Sequence, residues 1–376
     1  MKRSLASLSL LTLALVACAP TTDSGPIKIG YLGPLTGDAA GYGTDTVNGT
    51  RMAVEEINAK GGINGRLIEL IAEDARCNGS DAASAAQKLV SVDKVVAIVG
   101  GQCSSETLAA APIAEAAKVV LISPLSSSPD VTKAGDFVFR DYPSDALKGK
   151  AFGNYFAKAG YKHIAIVTEN TDFCQGILAV IKENLPAETT LVFAEQVDQG
   201  TKDYRSLFTR LKKTDFDVFI ANGQSDATVA EMAKQLRELG MKQQIVGTDT
   251  SDSANLGKAA TEAVEGLKPL SVPLLTEKDP TGATFVPAFK AKYGEPQFSA
   301  FFAATAYDAV NMLATVIAEK GTDGEKIRDG LYGLTDYKGI SGTLSFDSNG
   351  DVRGIPFAMK QFKNGVLEQA ELIPID

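Results

Sequence analysis

The sequence is poor in the residues most often recruited for chemistry. It has one histidine, His163, and no tryptophan among 376 residues. A single imidazole nearly removes histidine-based metal sites and any Ser-His-Asp triad. There is no G-x-G-x-x-G fingerprint and no P-loop, so the glycine cradles for dinucleotides and nucleoside triphosphates are missing; no cofactor or metal is expected. Positive charge is also short. The 37 Lys and Arg stand against 46 Asp and Glu, a net charge of −9, which disfavours nucleic acid as a partner. What remains is the composition of a soluble globular protein, 44% hydrophobic and 22% charged, with length enough for two domains of ordinary size.

The first residues read as an export signal. Lys2 and Arg3 precede an apolar run from Leu5 to Ala17 that is too short to span a membrane as a mature helix. The run ends Leu15-Val16-Ala17-Cys18, which resembles a bacterial lipobox. On that reading residues 1–17 are a signal peptide and Cys18 is lipidated as the new N-terminus. Residues 18–26, polar and proline-bearing, form a tether. The expected location is the periplasm or cell envelope, on a membrane-anchored lipoprotein. No other stretch reads as a membrane span.

The chain is organised around Gly100-Gly101-Gln102-Cys103-Ser104-Ser105-Glu106-Thr107. The apolar run Val95–Val99 before it reads as a buried strand, and Leu108–Ala117 after it as a helix. Ser104 or Ser105 stands in N-cap position. A glycine turn from a strand end into a helix start presents free N–H groups, hydroxyls and the positive end of a helix dipole, which suits a carboxylate. The same pattern also serves as an ordinary helix cap.

Around this turn strands and helices alternate. Strand Ile27–Gly33, helix Thr44–Lys60, strand Leu67–Ala72, helix Ser80–Val92 and strand Val119–Ile122 imply a parallel, doubly wound sheet. Ligands on such sheets sit beyond the C-terminal strand ends. The loops there are the Tyr42 turn, the Gln102–Ser105 turn, and the loop carrying Leu125, Ser126 and Ser127. Phe137–Asp141 reads as an extended crossover. A second run of the same alternation follows, from helix Asp145–Ala159 to strand Gln244–Gly247. Its rim offers Phe173, Gln224 and Asp249. Asp249 is placed to hold an ammonium or to cap the short helix after it. Helices Thr281–Lys292, Ser299–Lys320 and Gly324–Tyr332 come next, and Ile355–Phe362 reads as the last strand. His163 opens a strand and reads as a surface or edge residue. Asp347–Asp351 lacks the glutamate of a calcium loop and reads as a plain turn.

Cys77 and Cys103 follow strand ends whose loops can meet on one rim, and in an exported protein the two can pair. Cys174 is left over and reads as a free, partly buried thiol.

Several segments together resemble the leucine/isoleucine/valine-binding protein family, the extracytoplasmic receptors of branched-chain amino-acid ABC importers. They are Ile29–Gly37, Glu56–Gly65 with its Asn-Ala-Lys-Gly-Gly-Ile core, Cys103-Ser104-Ser105, and Asp308-Ala309-Val310. The likeness covers nearly all of the chain after the leader. It implies two doubly wound α/β lobes joined by three hinge crossovers, as in type I periplasmic binding proteins. The implied boundaries are 27–143 plus 272–354 for the first lobe and 144–271 plus 355–376 for the second. It implies the Cys77–Cys103 disulfide. It also implies a ligand carboxylate at Ser104, and an ammonium at the Leu125 carbonyl, the Ser127 hydroxyl and Asp249. Tyr42, Phe173 and Phe301 would close over the ligand. An ABC permease and ATPase would be the partners of a monomeric receptor.

The sequence departs from the family in two ways. The usual glutamate is replaced by the shorter Asp249, and the apolar side-chain pocket carries Gln102 and Gln224. Two amides suit a leucine side chain poorly, since an unpaired buried amide costs about 1–3 kcal/mol. The expected ligand is therefore a small amino acid or polar zwitterion, with an amide-type solute as the alternative. A ligand-sensing lipoprotein would use the same cleft. A cleft enzyme is disfavoured by the missing catalytic groups.

Overall fold

The computed structural model describes residues 25–374. The signal-peptide and Cys18 lipidation expectations lie outside the described residues.

The first lobe opens with β1 (Ile27–Gly33), α1 (Ala40–Ala59), β2 (Ile68–Asp74), α2 (Gly79–Lys88), β3 (Ala97–Gly100), α3 (Ser104–Ala117), β4 (Val120–Ser123) and β5 (Val138–Arg140). The five strands form one parallel sheet in the order β2-β1-β3-β4-β5. The segment expected to be a crossover is therefore largely an edge strand: Leu121, Ile122 and Ser123 pair with Val138, Phe139 and Arg140. The crossover proper starts at Asp141.

The second lobe continues with α4 (Asp145–Ala159), β6 (His163–Glu169), α5 (Asp172–Glu183), β7 (Thr190–Val197), α6 (Arg205–Leu211), β8 (Val218–Asn222), α7 (Asp226–Glu238), β9 (Gln244–Gly247), α8 (Ala254–Ala259) and β10 (Lys268–Ser271). The chain then returns to the first lobe through α9 (Gly282–Tyr293), α10 (Ala300–Lys320), α11 (Gly324–Tyr332), β11 (Tyr337–Lys338), β12 (Thr343–Phe346) and β13 (Val352–Arg353). It crosses again to end in β14 (Phe357–Lys363) and β15 (Val366–Ile373). The second sheet runs β15-β14-β10-β9-β8-β6-β7, parallel except for the β14–β15 hairpin and its β10 junction. The sequence pattern marks β14 as the last strand, and the structure adds β15 after it. In β15 the adjacent polar residues Glu368 and Gln369 break the period-2 alternation, and most of its positions are exposed, so little periodic signal marks it as a strand.

Each sheet buries aliphatic strand residues against flanking helices. In the first lobe Ile29, Val99 and Ile122 pack with Phe302, Leu313 and Ile317 of α10. α10 is long and apolar enough to cross a membrane by composition, with a mean hydropathy of 1.4. In this fold 78% of that stretch is buried inside the protein, so its apolar character serves the core. Three connections join the lobes: Asp141–Ser144 between β5 and α4, the chain after Ser271, and the chain between β13 and β14.

Candidate functional site

The β3–α3 turn has the strand–glycine–helix form expected, with a different cap. Cys103, extended at φ −83° and ψ 143°, is the N-cap, and Ser104 is the first helical residue. The two glycines are required by space. A Cβ on Gly100, which sits at φ +149°, would lie 2.2 Å from the Leu32 carbonyl oxygen, and one on Gly101 would lie 2.4 Å from Glu106 Cβ.

Glu106 changes which amides are free. Its Oε2 accepts from the N–H groups of Gln102 (2.8 Å) and Cys103 (3.0 Å), and its Oε1 from that of Cys77 (2.8 Å). Those amides are spent on structure. The amides of Ser104 and Ser105, at the first two helical positions, have no carbonyl one turn back to bond and are the ones left for an anion. Ser104 Oγ accepts from the Ser128 amide at 3.2 Å, fixing the next loop over the helix start. The Cys77–Cys103 disulfide is present, with Cα atoms 5.4 Å apart, and joins the loops after β2 and β3. Cys174 is free and fully buried rather than partly so, and burial pushes its thiol well up.

Between the lobes lies a small cavity of about 40 Å³. From the first lobe it is lined by Tyr42, by Gln102, Cys103 and Ser104 of the turn, and by Leu125 and Ser127 of the loop after β4. From the second lobe come Phe173, Gln224 and Asp249. Each of these sits at the C-terminal end of a strand or in the first turn of a helix, where this fold places ligands. Two expected residues do not line the cavity. Ser126 turns the other way: its Oγ lies 3.1 Å from the Gly101 carbonyl oxygen and 2.6 Å from Thr107 Oγ1, tying two loops together. Phe301 is buried in the first-lobe core, and its neighbour Phe302 faces the cavity. Adjacent helical residues point about 100° apart, and two phenylalanines in sequence do not reveal which faces inward.

Three lining residues were not foreseen: Tyr142, Thr250 and Phe302. Tyr142 belongs to the first crossover, where no periodicity marks a site residue. Its hydroxyl donates to Asp249 Oδ1 at 2.6 Å. The ring packs edge-on to Phe302, with centroids 5.9 Å apart.

Asp249 is therefore engaged already. Beyond Tyr142, Ser271 Oγ lies 2.9 Å from its Oδ1, and Lys148 Nζ bonds its Oδ2. Lys148 also donates to Asp145 Oδ1 at 2.5 Å. Both Lys148 and Asp145 are fully buried. Burial works against the Lys148 charge, but Asp145 and Asp249 outweigh it and hold its pKa above the usual lysine value. Asp145 is pushed up, chiefly by burial, with Lys148 opposing. A second buried pair, Lys360 with Asp252, adjoins through Ser271, whose Oγ lies 3.2 Å from Asp252 Oδ2. The i,i+3 spacing of Asp145 and Lys148 was the sequence signal for this cluster, but nothing in the sequence showed it reaching Asp249.

Across the cleft, Tyr42 Oη lies 3.1 Å from Cys103 Sγ and donates to the Gln224 carbonyl at 3.3 Å. Gln102 Nε2 donates to the Leu32 carbonyl at 3.3 Å, while Gln102 Oε1 is buried with no hydrogen-bond partner among the described residues. The site can thus offer two helix-start amides to an anion, a partly neutralised carboxylate opposite, aromatic walls and two side-chain amides.

The chain matches the periplasmic binding protein family over residues 26–363. It is 31% identical over 341 residues to a leucine-, isoleucine-, valine-, threonine- and alanine-binding protein of Pseudomonas aeruginosa, covering 89% of this chain and 90% of the relative. Among solved structures it resembles the branched-chain amino-acid transporter substrate-binding protein LivJ of Streptococcus pneumoniae, solved with isoleucine. The TM-score is 0.85 and the identity 32%, over 93% of this chain and 99% of that one. It also resembles a leucine-binding protein LivK of Thermotoga maritima, with a TM-score of 0.84 and 28% identity over 92% and 98% of the two chains.

Proposed function

The chain belongs to the periplasmic binding protein family, among the relatives of the leucine/isoleucine/valine-binding proteins, and from that membership we propose that it captures a small amino acid or related zwitterion between its lobes and delivers it to an ABC importer. It is a solute-binding protein of the kind that serves branched-chain amino-acid transporters. The finer reading is a monomer without catalysis, tethered to the membrane by a lipidated Cys18, with an ABC permease and ATPase as partners.

One observation carries this reading. Ser104 at the start of α3 and Asp249 after β9 line the same 40 Å³ cavity from opposite lobes. A small zwitterion can put its carboxylate on the helix-start amides and its ammonium toward Asp249. Because those groups belong to different lobes, the ligand favours the closed state, which alone makes both contacts. Leu125 and Ser127 supply a carbonyl and a hydroxyl beside the ammonium, and Phe173 and Tyr42 cover it.

The ligand side chain is expected to be short or polar. The cavity is small, and Gln102 Oε1 waits buried for a donor. A hydroxyl or amide would satisfy it; a leucyl group would leave it unpaired at about 1–3 kcal/mol. That same observation favours, as a second reading, a solute of amide type. Isothermal titration across the twenty amino acids and simple amides is the test. Tighter binding of leucine than of alanine, serine, threonine and every amide would overturn the ligand class while leaving the receptor reading in place.

A further inference from the structure

Asp249 does not meet the cavity as a free carboxylate. Three donors converge on it: the hydroxyls of Tyr142 and Ser271 at Oδ1 and the ammonium of Lys148 at Oδ2. A carboxylate has about four acceptor directions, so a ligand ammonium would take the one remaining. It would then sit on the same group as a second, buried ammonium, whose like charge opposes it. Asp145, which also holds Lys148 but does not line the cavity, leaves the three-residue cluster with one excess negative charge. The attraction for a cation is therefore weakened, not abolished.

We propose that Lys148 is a positioning residue that sets how strongly this receptor prefers an amino acid over the same molecule without its ammonium. By holding Asp249 Oδ2, it reduces the share of binding that depends on the ligand's positive charge. The natural protein then tolerates small carboxylic acids whose second group is a neutral hydroxyl, such as 2-hydroxy acids, alongside amino acids of the same size. Tyr142 and Ser271 fix the orientation of Asp249, and Lys148 fixes its charge balance. This inference rests on the small-amino-acid reading above.

The test compares L-alanine with L-lactate and L-serine with L-glycerate by isothermal titration. The quantity read is the ratio of hydroxy-acid Kd to amino-acid Kd. Wild type is expected to give a ratio below about 10, modest for a cleft with a buried acid, since each tenfold corresponds to only about 1.4 kcal/mol. Lys148→Gln is expected to raise that ratio at least tenfold, by tightening the amino acid, weakening the hydroxy acid, or both. A merely structural role would raise both Kd values together and leave the ratio unchanged. Lys148→Gln leaves Asp145 buried without its counter-charge, so Asp145→Asn with Lys148→Gln is measured beside it, with circular dichroism to verify folding. A wild-type ratio of 100 or more, or a ratio unmoved in the folded double variant, would overturn the proposal. Absence of binding by any amino acid to wild type would instead overturn the small-amino-acid reading, and the Lys148 proposal with it.

Discussion

Tyr42 Oη and the Gln224 carbonyl, 3.3 Å apart, join the two lobes directly across the cleft. The Tyr42 ring is held edge-on to Phe298, with centroids 5.2 Å apart, so the hydroxyl is delivered from a fixed wall. The contact favours the closed arrangement with or without a ligand, and it does so from a residue that lines the cavity. On the proposed ligand placement, closure and ligand coverage share this one side chain.

Tyr42→Phe separates the two contributions. It keeps the ring and removes the bond, so ligand affinity is expected to fall by a few fold, in line with about 0.5–1.5 kcal/mol for one hydrogen bond. Tyr42→Ala removes the wall as well and is expected to cost ten- to a hundredfold. Titration calorimetry with the tightest ligand checks both. Equal losses in the two variants would mean that the ring contributes nothing.

Loss of the Cys77–Cys103 disulfide is expected to reduce stability by about 3–4 kcal/mol, since it closes a loop of 26 residues. It should also weaken binding, because Cys103 caps α3 immediately before Ser104 and shares its amide with Glu106. Urea denaturation of the Cys77→Ala, Cys103→Ala double variant measures the first effect and titration the second. Unchanged affinity in a destabilised variant would show that Glu106 alone holds the turn.

Much of this was legible in the sequence. The alternation of apolar strands and helices fixes the two sheets because buried parallel strands read as short aliphatic runs. The glycine pair before Cys103 was visible because only glycine fits so close to Leu32 and Glu106. What stayed hidden was long-range polarity. Glu106 takes the Gln102 and Cys103 amides, so the helix-start amides not engaged by it are those of Ser104 and Ser105. Lys148 reaches Asp249, which lies 101 residues away in the chain. Local spacing carries no trace of such a pairing, and a cluster drawn from a crossover, a helix and a loop has no period to detect.

Asp141 gives a pH dependence of definite sign. It is fully buried, and neither carboxyl oxygen has a hydrogen-bond partner among the described residues. Burial first, and then the nearby Asp308, push its pKa well above the usual carboxylate range. A carboxyl raised in the folded state contributes its stability below the unfolded value, about 3.9, and loses it as pH rises toward the folded value. Asp141→Asn cannot titrate. Its stability relative to wild type should therefore grow from pH 4 upward, by at most about 1.4 kcal/mol per pH unit. Urea denaturation at pH 5, 6 and 7 reads this difference directly, and the other buried carboxyls cancel because both proteins carry them. A gap that stays constant or shrinks with pH would mean that Asp141 is ionised and stabilised in the folded protein.

Gln102 tests whether polarity or size underlies the proposed preference for a short or polar ligand side chain. Its backbone amide serves Glu106 whatever the side chain is, so the side chain can be changed without disturbing the turn. Gln102→Met keeps nearly the same length and removes both polar atoms. The lost bond to the Leu32 carbonyl is long, at 3.3 Å, and contributes little. If the unpaired Oε1 is what disfavours apolar ligands, leucine should gain at least tenfold relative to serine or threonine, matching removal of a penalty of about 1–3 kcal/mol. If the cavity is simply too small, leucine should gain nothing and serine or threonine should lose a few fold. Parallel titrations of leucine, serine and threonine on both proteins distinguish these outcomes. Gln224→Met is the matched control: that amide lies 3.5 Å from the Tyr42 hydroxyl, so its removal should loosen closure and shift every ligand by a similar factor.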